Sequence, residues 1–146
     1  MSFKFSGLDN LSDKLEELYF KENKEIISTI LNNLGILEVS KIRSNFTESL
    51  NPYGESWRQL KNPSKKRGGI SAKTLLDTGR LVGSINYNII NNNILEIGTP
   101  VFYAQYHQTG DGVTKRSFLP EKSRGLPESW NKDITDIIEK VLKYNK

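Results

Sequence analysis

The stretch Tyr103-Ala-Gln-Tyr-His-Gln-Thr-Gly110, followed by Arg116-Ser-Phe-Leu-Pro120, holds residue types that enzymes use. His107 is the chain's one histidine and its one candidate general base near neutral pH. A hydrolase would also need a nucleophile beside that base and an acid to orient it. Ser117 and Asp111 lie nearby in sequence, yet no local signature ties them to His107. Zinc would need further ligands than His107 and Asp111, and there is no cysteine to supply thiolates or disulfides. We therefore expect no catalytic and no metal-binding residues and no cofactor, and read His107 as a structural, hydrogen-bonding histidine. Arg116, placed before apolar Phe118 and Leu119, is read as one half of a structural or intersubunit ion pair.

Two other strings have catalytic look-alikes. Asp77-Thr78-Gly79 matches the triplet of aspartic proteases, but it follows Lys73-Thr-Leu-Leu where that fold needs an apolar strand. It fits an Asx-type turn leading into the next element better. Gly68-Gly69 follows Lys65, Lys66 and Arg67, whereas a phosphate-binding loop places its lysine after the glycines. The region 61–73, with Pro63 and both glycines, reads as a loop that is disordered until bound. Its charge suits phosphate or an acidic protein face, so a small basic nucleic-acid-binding module is the alternative function. No basic face interleaved with aromatics supports that alternative.

The elements that must hold these residues follow from periodicity. Leu8, Leu11, Leu15 and Leu18 recur at helical steps, with Asn10 or Ser12 as a cap. A longer stripe runs Ile27, Leu31, Leu34, Val39, Ile42, Phe46, with Gly35 on the same face. Glycine inside a helix costs about 1 kcal/mol against alanine, so either close packing or a break near Leu34 is expected there. Ile36 and Leu37 fall off the stripe and are candidate subunit contacts. Asn51-Pro-Tyr-Gly54 is expected to end the helix, and Trp57 to return to the core. The segment 84–90 alternates: Ile85, Tyr87 and Ile89 on one face, Ser84, Asn86 and Asn88 on the other. After Asn91-Asn-Asn93 comes the return strand Ile94-Leu-Glu-Ile97, so the pair reads as an antiparallel hairpin. Asn86, Asn88 and Glu96 form its polar face, a second candidate interface. The segment 101–108 reads as a short helical or irregular corner, and 115–119 as a further strand. Pro127 opens a last helix with Trp130, Ile134, Ile137, Ile138, Val141 and Leu142 inside, and Lys132, Asp133 and Asp136 largely outside.

The totals agree with one domain, residues 1–146, of α+β class: N-terminal helices and a C-terminal helix on a small antiparallel sheet with a central hairpin. Hydrophobic residues make up 36%, which implies a modest core and surface left for partners. No apolar run nears the roughly 20 residues that span a bilayer, and the opening Met-Ser-Phe-Lys-Phe-Ser-Gly lacks a signal-peptide core.

The ordered set of motifs resembles one family. It runs Phe46, Pro52-x-Gly54-x-x-Trp57, a basic loop, Leu76-Asp77-Thr78-Gly79-x-Leu81-x-x-Ser84-Ile85, Ile97-Gly98-Thr99, Tyr103-Ala104-x-x-His107-Gln108-x-Gly110, and Arg116-x-Phe118-Leu119. This order is similar to that of the phage virion morphogenesis family, the Mu-like tail completion proteins, over about residues 27–120. One departure is Ser117, where the family usually has proline. The resemblance implies a non-enzymatic structural protein of a phage or phage-derived tail, at the tail's head-proximal end or the head–tail joint. It implies a homo-oligomeric ring, commonly a hexamer, with tail tube, sheath or neck and connector proteins as partners and the virion as its location. Contact with DNA through Lys65, Lys66 and Arg67 is compatible with that role but not required by it.

Overall fold

A computed structural model describes residues 2–4, 24–61, 74–76 and 78–144. Helix α1 (Lys24–Glu48) is the spine. At 1.5 Å per residue, its 25 residues extend about 37 Å. Strand β1 (Ser2–Lys4) precedes it; a short helix α2 (Arg80–Ser84), the hairpin β2 (Asn86–Ile90) and β3 (Ile94–Gly98), a short helix α3 (Ala104–Thr109) and the closing helix α4 (Glu128–Tyr144) follow. The sheet order is β1-β3-β2 and both pairings are antiparallel. The expected α+β class and hairpin are present, with α1 and α4 packed together and α1 against the sheet. The leucine stripe from Leu8 to Leu18 and the basic residues 65–67 lie outside the described residues.

The α1 stripe buries as its spacing demands. Leu31, Leu34, Val39, Ile42 and Phe46 are all in the core, together with Ile26 and Ile30, which the stripe omitted. Glu38 is buried on the same side. Ile36 projects outward at 60% exposure, whereas Leu37 is half-buried. The helix is unbroken at Gly35. A Cβ built there would overlap the ring of Tyr87, so Gly35 admits a tyrosine ring from β2 rather than another backbone. The Tyr87 hydroxyl then donates to Asn32 Oδ1 at 3.3 Å.

Several boundaries differ from the sequence expectation. The helix ends at Glu48, before Asn51-Pro52. Ser49 takes a left-handed conformation (φ 58°), and Leu50 N–H donates to Asn45 C=O at 2.9 Å while Ser49 N–H reaches Phe46 C=O. That is a Schellman closure made without glycine. Ser84 belongs to α2, and β2 starts only at Asn86. Ile85, fully buried between them, has its carbonyl held by Arg43 Nη2 at 2.7 Å. The hairpin is not a two-stranded ribbon, because β1 pairs along β3 and leaves β2 as one edge. Asn91 and Asn92 both adopt positive φ, the condition for a tight turn of the primed type. Residues 115–119 do not form a strand; they run as irregular chain beneath α3.

The Gly35–Tyr87 approach yields a prediction. Gly35→Ala gains about 1 kcal/mol of helix propensity, but displacing the ring by overpacking costs about 1–3 kcal/mol. The melting temperature should fall in Gly35→Ala, and the same substitution in a Tyr87→Ala background should be neutral or stabilising. A rise in melting temperature for Gly35→Ala alone would contradict the packing described.

Candidate functional site

The motif residues converge on one loop-built corner, and Gln108 is its hub. The α3 turn forms because Tyr103 starts it with helical dihedrals and Gly110 stops it at φ 81°, where its N–H caps Tyr106 C=O at 2.8 Å. Gly110 has a second constraint: a Cβ there would lie 2.8 Å from Lys115 Cβ. Gln108 thereby points inward, buried, at the irregular chain opposite. Its Oε1 accepts from Phe118 N–H and Leu119 N–H, both at 3.0 Å, and its Nε2 donates to Leu119 C=O at 2.8 Å. A primary amide can donate and accept in this way at once. It does for this segment what a neighbouring strand does in a sheet. Arg116 N–H adds a bond to His107 C=O at 2.8 Å.

The Pro52–Trp57 turn locks in from the other side. Asn51 Oδ1 accepts from Tyr53 N–H and Glu55 N–H, each at 2.9 Å, and Gly54 closes the turn at φ 83°. This throws Trp57 into the core, where its ring meets Phe46 edge-on with centroids 5.2 Å apart. Phe118 also packs on Phe46, with ring centroids 5.5 Å apart. The Trp57 indole N–H donates to Ser117 C=O at 2.8 Å, so the buried ring has the acceptor it needs. Tyr53 hydroxyl accepts from Glu121 N–H at 2.8 Å and donates to Gly125 C=O at 2.7 Å. Arg124 stacks on the Tyr53 ring at 3.7 Å and grips Glu55 with two bonds of 2.9 Å. That bidentate grip first, and the Asn51 amide second, hold Glu55 down at about 2.

Within the subunit, Arg116 and His107 are held differently from the sequence expectation. Arg116 is buried but makes no ion pair among the described residues; its Nε donates to Arg58 C=O at 2.9 Å and its Nη2 to Gln59 C=O at 3.3 Å. It ties the chain after Trp57 to the corner through backbone. The His107 ring packs edge-on against Tyr103, with centroids 6.2 Å apart, and its Nδ1 is buried without a hydrogen-bond partner among the described residues. Burial, and then the Arg116 charge, push its pKa down. His107 therefore contributes a packing contact with Tyr103, and its Nδ1 makes no hydrogen bond among the described residues. Ser117, the departure from the family pattern, donates from Oγ to Glu121 Oε1 at 3.1 Å, and Lys115 Nζ meets Glu121 Oε2 at 2.8 Å. The serine anchors the segment through its side chain.

No triad assembles here: Ser117 is bound to Glu121 and Asp111 is exposed. Among the described residues, no three His, Cys, Asp or Glu side chains are placed to share a metal. An open cleft of about 590 Å³ lies between α1, the Pro52–Gly54 turn and the first turn of α4, lined by residues that include Lys41, Tyr53, Glu128 and Trp130. It brings together one carboxylate and one amine, not an acid–base pair on a nucleophile. Thr78 and Gly79 make the turn into α2, with Gly79 at φ 73° and Thr78 Oγ1 accepting from Arg80 N–H at 3.3 Å. Asp77 lies outside the described residues. Asn86 and Asn88 are exposed and Glu96 half-buried; by strand alternation all three share the sheet face away from α1.

What the fold brings together is a single corner in which the motif residues of α3, the 52–57 turn and the 116–121 segment bond one another. A model of the phage virion morphogenesis family matches residues 7–143, and the chain belongs to that family. Its role is therefore structural, in phage assembly. No curated protein and no solved structure matches it. Among the described residues, no helix is long and apolar enough to cross a membrane.

The hub makes a quantitative prediction. Gln108→Leu strands two buried N–H groups and one C=O, each at about 1–3 kcal/mol. A loss of at least about 3 kcal/mol should appear in urea unfolding, a large share of a domain's roughly 5–15 kcal/mol. Gln105→Leu, on the exposed side of the same helix, should shift stability by less than about 0.5 kcal/mol. Equal effects of the two substitutions would overturn the hub.

Proposed function

We propose that this protein forms a ring, most simply a hexamer, that completes the head-proximal end of a phage or phage-derived tail or joins it to the head. Family membership over residues 7–143 carries the reading. The geometry supports it in two ways. A ring repeats one head-to-tail contact, so each subunit must present two different faces. One face is available at β2: its outer edge is unpaired among the described residues, and Asn86–Ile90 has no proline and no charged residue to block strand addition. Another is the α1 side, where Ile36 stands exposed. The Tyr87 ring seated over Gly35 ties β2 directly to α1, so the two faces belong to one packed unit. Its partners would be copies of itself, the tail tube or sheath, and neck or connector proteins.

Labelled protein should localise to one end of the tail, and particles made without it should carry abnormally long tails or tails that fail to join heads. Label spread along the shaft, or normal joined tails in the deletion, would reject the assignment.

A further inference from the structure

The buried face between α1 and α4 holds a charge arrangement that packing alone does not call for. Glu38 of α1 is only 2% exposed, and neither of its carboxyl oxygens has a hydrogen-bond partner among the described residues. The sequence reading put Asp133 of α4 largely outside its apolar face, but its side chain is 17% exposed and paired with Lys41, one turn along α1 from Glu38. The ammonium thus serves Asp133, and the Glu38 carboxyl, one turn away and buried, has no cation of its own among the described residues. Two ionised carboxylates so placed repel strongly, and the single cation is already engaged with Asp133. The low-energy arrangement keeps one proton on Glu38, directed at Asp133.

Among the described residues, no other charge relieves Glu38. Among the elements packed on α1, β2 contributes only Tyr87, whose hydroxyl turns to Asn32. Glu96 of β3 lies on the opposite sheet face, and Arg80 of α2 is exposed. Lys41 borders the open cleft, so solvent protons reach the edge of the cluster.

We propose that Glu38, Asp133 and Lys41 form a proton-dependent latch, in which neutral Glu38 holds α4 against α1 and ionised Glu38 loosens it. The apolar side of α4, with Trp130, Ile134, Ile137 and Val141 on the core, would otherwise make this contact indifferent to pH. Burial first and Asp133 second raise Glu38 from 4.5 to about 8, with Lys41 opposing. The sign follows. The folded state keeps a proton that the unfolded chain releases near 4.5, so stability falls as pH rises from about 4.5 to 8 and levels off above. Each pH unit inside that window shifts the docking equilibrium by up to about tenfold.

The test compares wild type with Glu38→Gln, whose neutral amide still donates to Asp133. The difference in melting temperature, variant minus wild type, should grow in the variant's favour between pH 5 and 8 and then stay constant. Parallel profiles would overturn the latch. If Glu38→Gln does not fold, the carboxyl ¹³C signal of Glu38 in the wild-type protein decides. A titration midpoint above 7 supports the latch, and one near 4.5 ends it. Intrinsic-rate-corrected hydrogen exchange should show α4 losing protection between pH 6 and 8 while β3 keeps it; unchanged α4 protection would also overturn the proposal.

Discussion

Residues 116–120 are buried chain with no strand beside them, and buried backbone groups must be paired. The Gln108 amide meets that constraint for Phe118 and Leu119. Much of the molecule follows from it. Phe118 can then reach Phe46, Trp57 can pack edge-on against Phe46 as well, and the Trp57 indole can hold Ser117 C=O. Through this chain of contacts the end of α1, the 52–57 turn and the approach to α4 become one rigid body. Glycines serve the same end: Gly110 permits both the left-handed stop of α3 and the close passage of Lys115.

The corner illustrates why residue types that look catalytic need not be. A histidine, an arginine, a serine and tyrosines gather within a few ångströms of one another's segments. Each is consumed by architecture: Arg116 by two carbonyls, Ser117 by Glu121, Tyr53 by backbone on both sides, and His107 by packing against Tyr103. Polar groups used this way fix direction, since hydrogen bonds are directional and apolar burial is not. The ring proposed above would have use for such directional contacts.

Much of this was legible in the chain. The apolar stripe of α1, the alternation and asparagine turn of β2 and β3, the amphipathic α4 and the inward Trp57 all follow from period and from turn chemistry. What escaped has physical causes. β1 is three residues long, too short for any period to register. Ser49 ended α1 in a conformation usually left to glycine or asparagine, so the proline three residues later drew attention instead. Residues 115–119 have the composition of a strand, and only the tertiary partner, a side-chain amide rather than a ladder, decides otherwise. Glu38 sat unremarked in the α1 stripe, because a carboxyl reads as charged until its surroundings are known. The ordered motifs located the corner, but their spacing could not say that Gln108, rather than His107, is the residue on which it turns.

The central claim is that a side-chain amide substitutes for a strand in stiffening this corner. Amide hydrogen exchange at Phe118 and Leu119 measures it directly. The account predicts slow exchange, at rates comparable to the buried positions of β3 such as Leu95 and Ile97. Exchange at the rate of the exposed Asp111 and Gly112 amides would contradict it, and the corner would then be loose chain rather than a joint.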